Sequence, residues 1–325
     1  MKNSRVSSVT SNIKIDKIKL KKLLISIART VLLLGISYII LMPLLSKFSN
    51  SLMPVRDLYD QTVKWIPRNV TFEHYSMVWE HMRYPSALFN TMTLTILVSL
   101  LQLASCTVVA YGLARFDFRG KNLIFGLVLF TLIVPPQMIM IPLYLNMRYF
   151  DLFGLLSLFS EGGFNLIGSY WPFVLTSITG TGLRNGLFIY IMRQFFKGMP
   201  KELEEAAYID GAGLLRTFIK VMLPGAVPGL IIVFLFAFVW QWNDFFFTTL
   251  FMGGGHYLPM ALQLVANRVI QAVTDGQAPL STQGDQYESL LNNTGMILVI
   301  SPLLVLYGFM QRYFIESVER SGIVG

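Results

Sequence analysis

Lys201-Glu202-Leu203-Glu204-Glu205-Ala206-Ala207-Tyr208-Ile209-Asp210-Gly211, followed by Val221-Met222-Leu223-Pro224, is a polar island between two long apolar runs. That position puts it in water or at a protein contact. Pro200 suits the first turn of a helix, where its missing N–H is not needed, and Glu202, Glu204 and Glu205 complement the helix dipole. Gly211-Ala212-Gly213 tolerates unusual backbone angles and predicts the end of that helix. Beyond it, Leu214, Leu215, Phe218, Ile219 and Met222 recur at helical spacing, with Arg216, Thr217 and Lys220 on other faces. The expected unit is an amphipathic helix-turn-helix. Pattern alone leaves open whether it merely connects two membrane spans.

The surrounding chain sets the class. Its 325 residues are 54% hydrophobic and 14% charged, with mean hydropathy +0.57, too apolar for an ordinary soluble domain. The net charge of +8 does not point to nucleic acid, because the basic residues lie on short connections between apolar runs, as membrane topology requires. Cys106 is the only cysteine, so neither an intramolecular disulfide nor a cysteine metal cluster is possible.

Residues 1–22 carry Lys2, Arg5, Lys14, Lys17, Lys19, Lys21 and Lys22 against Asp16, and read as a basic cytoplasmic tail. The apolar run after it is too long for a signal peptide core and lacks a small-residue cleavage pattern, so 23–46 is expected to be an uncleaved span. Further spans are expected at about 86–114, 122–145, 171–196, 225–252 and 290–311, each near the roughly 20 residues that cross a bilayer core. Pro135-Pro136 must kink or break the third. Gly180-Thr181-Gly182-Leu183-Arg184-Asn185-Gly186 interrupts the fourth. Six spans place both termini inside, with a multi-pass domain over 23–312, the loop at 200–224 and a cytoplasmic tail at 313–325. Leu262, Val265, Val269 and Ala272 suggest an amphipathic helix outside.

Few residues offer chemistry. A G-x-x-x-x-G-K-[S/T] phosphate loop is absent, and His74, His81 and His256 are isolated from one another. Gln241, Asn243 and Asp244 lie within the apolar run of span five, about 25 Å from its Gly225 end. A carboxylate there is costly against lipid, so Asp244 lines a path or serves a structural interface.

Glu205-Ala206-Ala207, three residues, Gly211, nine residues and Val221-Met222-Leu223-Pro224 resembles the EAA loop of permease subunits in binding-protein-dependent ABC importers. Separated segments resemble the maltose and multi-sugar branch: Trp65-Ile66-Pro67, Asn90-Thr91, Ala110-Tyr111-Gly112-Leu113-Ala114-Arg115-Phe116, Met192-Arg193-Gln194-Phe195-Phe196, Trp242-Asn243-Asp244-Phe245 and Gln311-Arg312-Tyr313-Phe314-Ile315-Glu316.

The resemblance implies an all-α integral membrane protein, with the six transmembrane helices of the type I importer permease and a cytoplasmic coupling helix. It implies a multi-pass protein of the bacterial plasma membrane, half of a carbohydrate path. The implied partners are a second homologous permease, a cytoplasmic ATPase dimer that binds ATP and Mg, an external solute-binding protein, the carbohydrate and membrane lipid, with no nucleic acid and no cofactor in this chain. Glu205 is expected to pair with a basic group of the ATPase, beside Ala206 and Ala207, with Gly211 at the bend and Leu214, Phe218, Leu223 and Pro224 completing the coupling surface. Gln241, Asn243 and Asp244 are expected on the path, and Glu316, Ser321 and Gly322 near the ATPase. The competing classes are an ion-gradient transporter, for which Asp244 and Arg184 are the candidate coupling groups, and an intramembrane enzyme, for which no paired aspartates or H-E-x-x-H stand out.

Overall fold

The structure is a computed structural model that describes residues 3–60, 62–63, 65–152, 154, 163–182, 184–254, 256–273 and 281–322, with backbone only for 3–18, 20, 281–284 and 313–322. Lys64, Glu161, Leu183 and the final residues 323–325 of the tail lie outside it. The described chain is helical apart from one isolated bridge between Phe150 and Phe164.

In chain order the helices are α1 (Asn3–Ser51), α2 (Val55–Leu58), α3 (Glu73–His81), α4 (Tyr84–Arg115), α5 (Lys121–Phe130), α6 (Pro136–Arg148), α7 (Trp171–Ile178) and α8 (Asn185–Gly198). After them come α9 (Glu202–Ile209), α10 (Leu214–Thr217), a π-helical turn (Phe218–Met222), α11 (Leu223–Gly225), α12 (Val227–Trp242), α13 (Phe246–Met252), α14 (Leu258–Val273) and α15 (Ser281–Gly322).

Among the described residues, three unbroken stretches are long and apolar enough to cross a membrane: Lys21–Ser51, Tyr84–Arg115 and Asp285–Arg312. The other expected spans are each divided. The third breaks before Pro136, because neither Pro135 nor Pro136 can donate a backbone hydrogen bond to the preceding turn. The fourth breaks over 179–184, where Gly180 (φ +71) and Arg184 (φ +65) are left-handed. The fifth, expected to run unbroken over 225–252, is corrected to α12 and α13 separated at Asn243–Phe245.

The chain forms two compact units. The first holds residues up to Ser76 and 279–297. In it Lys47 Nζ donates to Asn293 Oδ1 at 3.1 Å, and the Ser51 and Tyr75 hydroxyls share a 2.7 Å hydrogen bond. Every residue from 21 to 41 is exposed, which suits a helix whose apolar surface meets lipid.

The second unit, Met77–Ala278 with Leu298 onward, is organised on α4, which packs against α7, α8, α12 and α14. Two apolar clusters divide its length. Towards Arg115 lie Tyr111, Phe188, Met192, Phe196, Met222 and Val233. Towards Tyr84 lie Leu94, Phe173, Phe247, Phe251, Met252 and Tyr257. Glycines permit the close crossings: a Cβ on Gly186 would stand 2.5 Å from Thr131 Oγ1 and 2.7 Å from Val128 O, and one on Gly229 2.7 Å from the Phe195 ring.

Candidate functional site: the 200–224 loop and its anchor

Helix α9 begins immediately after Pro200 and Lys201, with Glu202, Glu204 and Glu205 in its first turn. Residues three apart share a face, and Glu204 and Ala207 form the buried one. Glu205 and Ala206 are exposed. The two adjacent glutamates therefore have opposite fates. Glu204 Oε1 accepts a 2.7 Å hydrogen bond from the Tyr111 hydroxyl, and Oε2 lies 3.3 Å from Arg115 Nε, with both charged side chains nearly buried. Arg115 Nη2 also donates to Met199 O at 2.8 Å, just before the loop. The C-terminal end of α4 thus holds the loop through an internal ion pair.

The turn follows from one backbone requirement. Gly211 has φ +78, and Ala212 N donates to Ala207 O at 2.9 Å, a helix stop that glycine adopts without a Cβ penalty. Past the turn, Thr217 and Met222 are buried, and the Phe218 ring lies 4.7 Å from that of Tyr111. Pro224 has no N–H for Lys220 O, and the preceding Leu223 N donates instead to Phe218 O, which gives the π-helical register.

The apolar residues expected to form one face do not bury together. Leu214, Leu215 and Ile219 are exposed, as are Leu203, Tyr208 and Ile209, the last at 86%. Leu223 is half-buried and Pro224 exposed. The segment Leu214–Gly225 meets α12 at 77°, so the loop leaves the span direction sharply.

Arg193 on α8 reinforces the anchor. Its Nε donates to Leu113 O at 3.2 Å, and its guanidinium stacks 3.8 Å from the Phe125 ring centre.

The candidate path residues occupy the break between α12 and α13. Asp244 Oδ2 accepts from Thr248 N (2.8 Å) and Thr248 Oγ1 (3.0 Å), and Oδ1 from Phe247 N (3.4 Å). It caps the first turn of α13, a structural use of the carboxylate. Asn243 is exposed, its Nδ2 donating to Val239 O at 2.8 Å, and Gln241 is half-buried. Arg184 stacks 4.0 Å from the Trp240 ring centre. The backbone of Glu316, Ser321 and Gly322 continues α15, while their side chains lie outside the described set. Among the described residues, no group of His, Cys, Asp and Glu could hold a metal.

The loop and its anchor fall inside a recognised sequence pattern. A family profile described as "Binding-protein-dependent transport system inner membrane component" matches residues 106–320. The "Osmoprotective compounds uptake permease protein GgtD" of Synechocystis sp. is 31% identical over 298 residues, covering 90% of each chain. The "Arabinooligosaccharides transport system permease protein AraQ" of Halalkalibacterium halodurans is 27% identical, covering 89% of this chain and 93% of its own. Among solved structures, a chain of a bacterial ABC transporter involved in import of the acidic polysaccharide alginate superposes with TM-score 0.67 at 23% identity, over 90% of this chain and 96% of that one.

Proposed function

We propose, for a chain that belongs to the binding-protein-dependent transport system inner membrane component family, that it forms half of the translocation path of an ATP-driven carbohydrate importer and couples that path to a separate ATPase through residues 200–224. The observation that carries the reading is the divided character of that loop. One side is locked to α4 by Glu204, Tyr111 and Arg115. The other presents Leu203, Tyr208, Ile209, Leu214, Leu215 and Ile219 uncovered by the described residues, and such apolar exposure marks an interaction surface.

The chain lacks a phosphate loop, so ATP and Mg belong to the partner. Closure of the ATPase dimer pushes the loop, with Glu205 paired to a basic group of the ATPase. The buried clamp passes that displacement to α4, and the kink before α12 passes it to the fifth span. Arg115, Arg119 and Lys121 beside the loop support a cytoplasmic location for it and for both termini. An external solute-binding protein and a second permease complete the assembly, and the α15 tail around Glu316, Ser321 and Gly322 is placed near the ATPase. Carbohydrate as the cargo draws on the multi-sugar resemblance and on the arabinooligosaccharide relative.

Purification of the tagged chain in mild detergent tests the partners. Mass spectrometry is expected to find a second permease and an ATPase with the wild type. Ile209→Asp, at an exposed position, is expected to lose the ATPase and keep the permease pair. Equal ATPase recovery with Ile209→Asp and Glu205→Ala would remove the loop from the interface.

A further inference from the structure

At the Tyr84 end of the second unit, an open cavity of about 540 Å³ lies between the start of α7 and the segment after α13. Ser169, Tyr170, Trp171, Val174, Met252 and Tyr257 line it, and none of them is charged. Gly168 N donates to Phe251 O at 2.7 Å, tying the two walls together. The second wall is fixed to α4: Asn90 Nδ2 donates to His256 O, and Leu258 N to Thr91 Oγ1. Thr91 and Arg115 stand about 36 Å apart along α4 at 1.5 Å per residue. The cavity therefore lies across the membrane from the 200–224 loop.

Its chemistry is selective. Trp171 is 56% exposed, while Met252 and Tyr257 are nearly buried and pack with the edge-to-face pair Phe173 and Phe251. Burial and a hydrogen bond to the Tyr170 hydroxyl push the Tyr257 pKa upward, and the two phenols share one proton between them and leave the other to donate. Ser169 Oγ donates to Leu166 O at 2.6 Å and accepts from Trp171 N at 3.4 Å, which leaves it one acceptor lone pair. A sugar ring offers a C–H face, which stacks on an aromatic ring, and a rim of hydroxyls, which needs donors and acceptors. Ordinary small-ligand cavities span about 300–1,000 Å³, and an uncharged lining disfavours an anionic sugar. Trp and Tyr also gather at membrane interfaces as anchors, yet an anchor needs only a flat outer surface, whereas these rings border a cavity.

We propose that this cavity is a holding site for a neutral sugar ring at the external mouth of the path, with Trp171 as the stacking platform and Tyr257 and Ser169 as hydroxyl partners. The proposal rests on the carbohydrate-importer reading above.

The test is saturation-transfer NMR on the assembled importer in nanodiscs without its binding protein, using trehalose, maltotriose and arabinotriose as neutral probes and digalacturonate as the acidic one. Uptake of the same sugars is measured in parallel with the binding protein present. The expected result is transfer to the C–H protons of at least one imported neutral sugar and none to digalacturonate. Trp171→Ala is expected to weaken that binding about fivefold or more. Tyr257→Phe, which keeps the ring, is expected to weaken it less.

Import and transfer that survive undiminished in both variants would overturn the site and leave the carbohydrate reading intact. A wild-type importer that neither binds nor imports any neutral sugar would overturn both. Should Trp171→Ala not assemble, Val174→Trp fills the cavity from its wall. Transfer retained by that assembled variant overturns the site, and its loss supports it.

Discussion

Glu204→Gln is the most informative single change, because it keeps the shape and the acceptor for Tyr111 while removing the charge facing Arg115. Arg115 and Glu204 are 6% and 11% exposed at their side chains, and removing one partner of a buried pair costs about 3–5 kcal/mol. The retained 2.7 Å Tyr111 bond and the Arg115 contact to Met199 O place the expected cost near the lower limit, about 3 kcal/mol. That energy falls on the docking of α9 against α4, so the undocked fraction rises roughly 150-fold. Hydrogen exchange over 202–212 reads this directly, and the ratio of ATP hydrolysed to sugar imported reads its consequence. Faster exchange and a raised ratio are expected, whereas Glu205→Gln, at an exposed position, leaves exchange unchanged. The apolar pair Glu204→Leu with Arg115→Met is expected to recover docking, since well-packed apolar replacements of buried pairs are often neutral. Unchanged exchange and coupling in Glu204→Gln would refute the clamp.

Three further outcomes follow from single residues. Gly211 has φ +78 with open space around a Cβ, so Gly211→Val is expected to lose coupled uptake through about 1–2 kcal/mol of backbone strain, and Gly211→Asn to retain most of it; equal uptake in both would contradict this. Gly186→Ala drives a Cβ into Val128 O and Thr131 Oγ1 and should lower thermal stability by about 1–3 kcal/mol, while Gly198→Ala, with nothing within 4 Å, should not. His74 is buried, and burial holds its pKa below the ordinary imidazole value against the opposing pull of Glu73 and of the Met53 backbone. Its stabilising contribution is present above the unfolded value of about 6.5 and is lost as pH falls through that value towards the lower folded one. His74→Phe should flatten the fall in Tm between pH 7 and pH 5, and an identical slope in the two proteins would count against it.

The helix-turn-helix was legible because its signals are local: Pro200 and the acidic first turn start α9, and Gly211 stops it. The orientation of α9 was not legible. Which of Glu204 and Glu205 turns inward depends on Tyr111 and Arg115, more than eighty residues earlier, and Arg115 read only as a topology charge. The same limit explains Leu214, Leu215 and Ile219, whose helical spacing announces an apolar face without saying whether this chain or another covers it. Breaks at Pro135-Pro136 and around Gly180–Gly182 were visible as backbone constraints. The break at Asn243–Phe245 was not legible, because the apolar stretches on either side of Gln241, Asn243 and Asp244 together read as one span. The capping of α13 by Asp244 shows only in the structure, where its carboxylate accepts from Phe247 N and Thr248 N.

Sugar uptake is measured in proteoliposomes containing the purified assembly, with binding protein outside, ATP inside or absent, and proton and sodium gradients collapsed or imposed. Uptake is expected to require ATP and binding protein and to ignore the gradients. Uptake that persists without ATP and follows a proton or sodium gradient would contradict the ATP-driven reading.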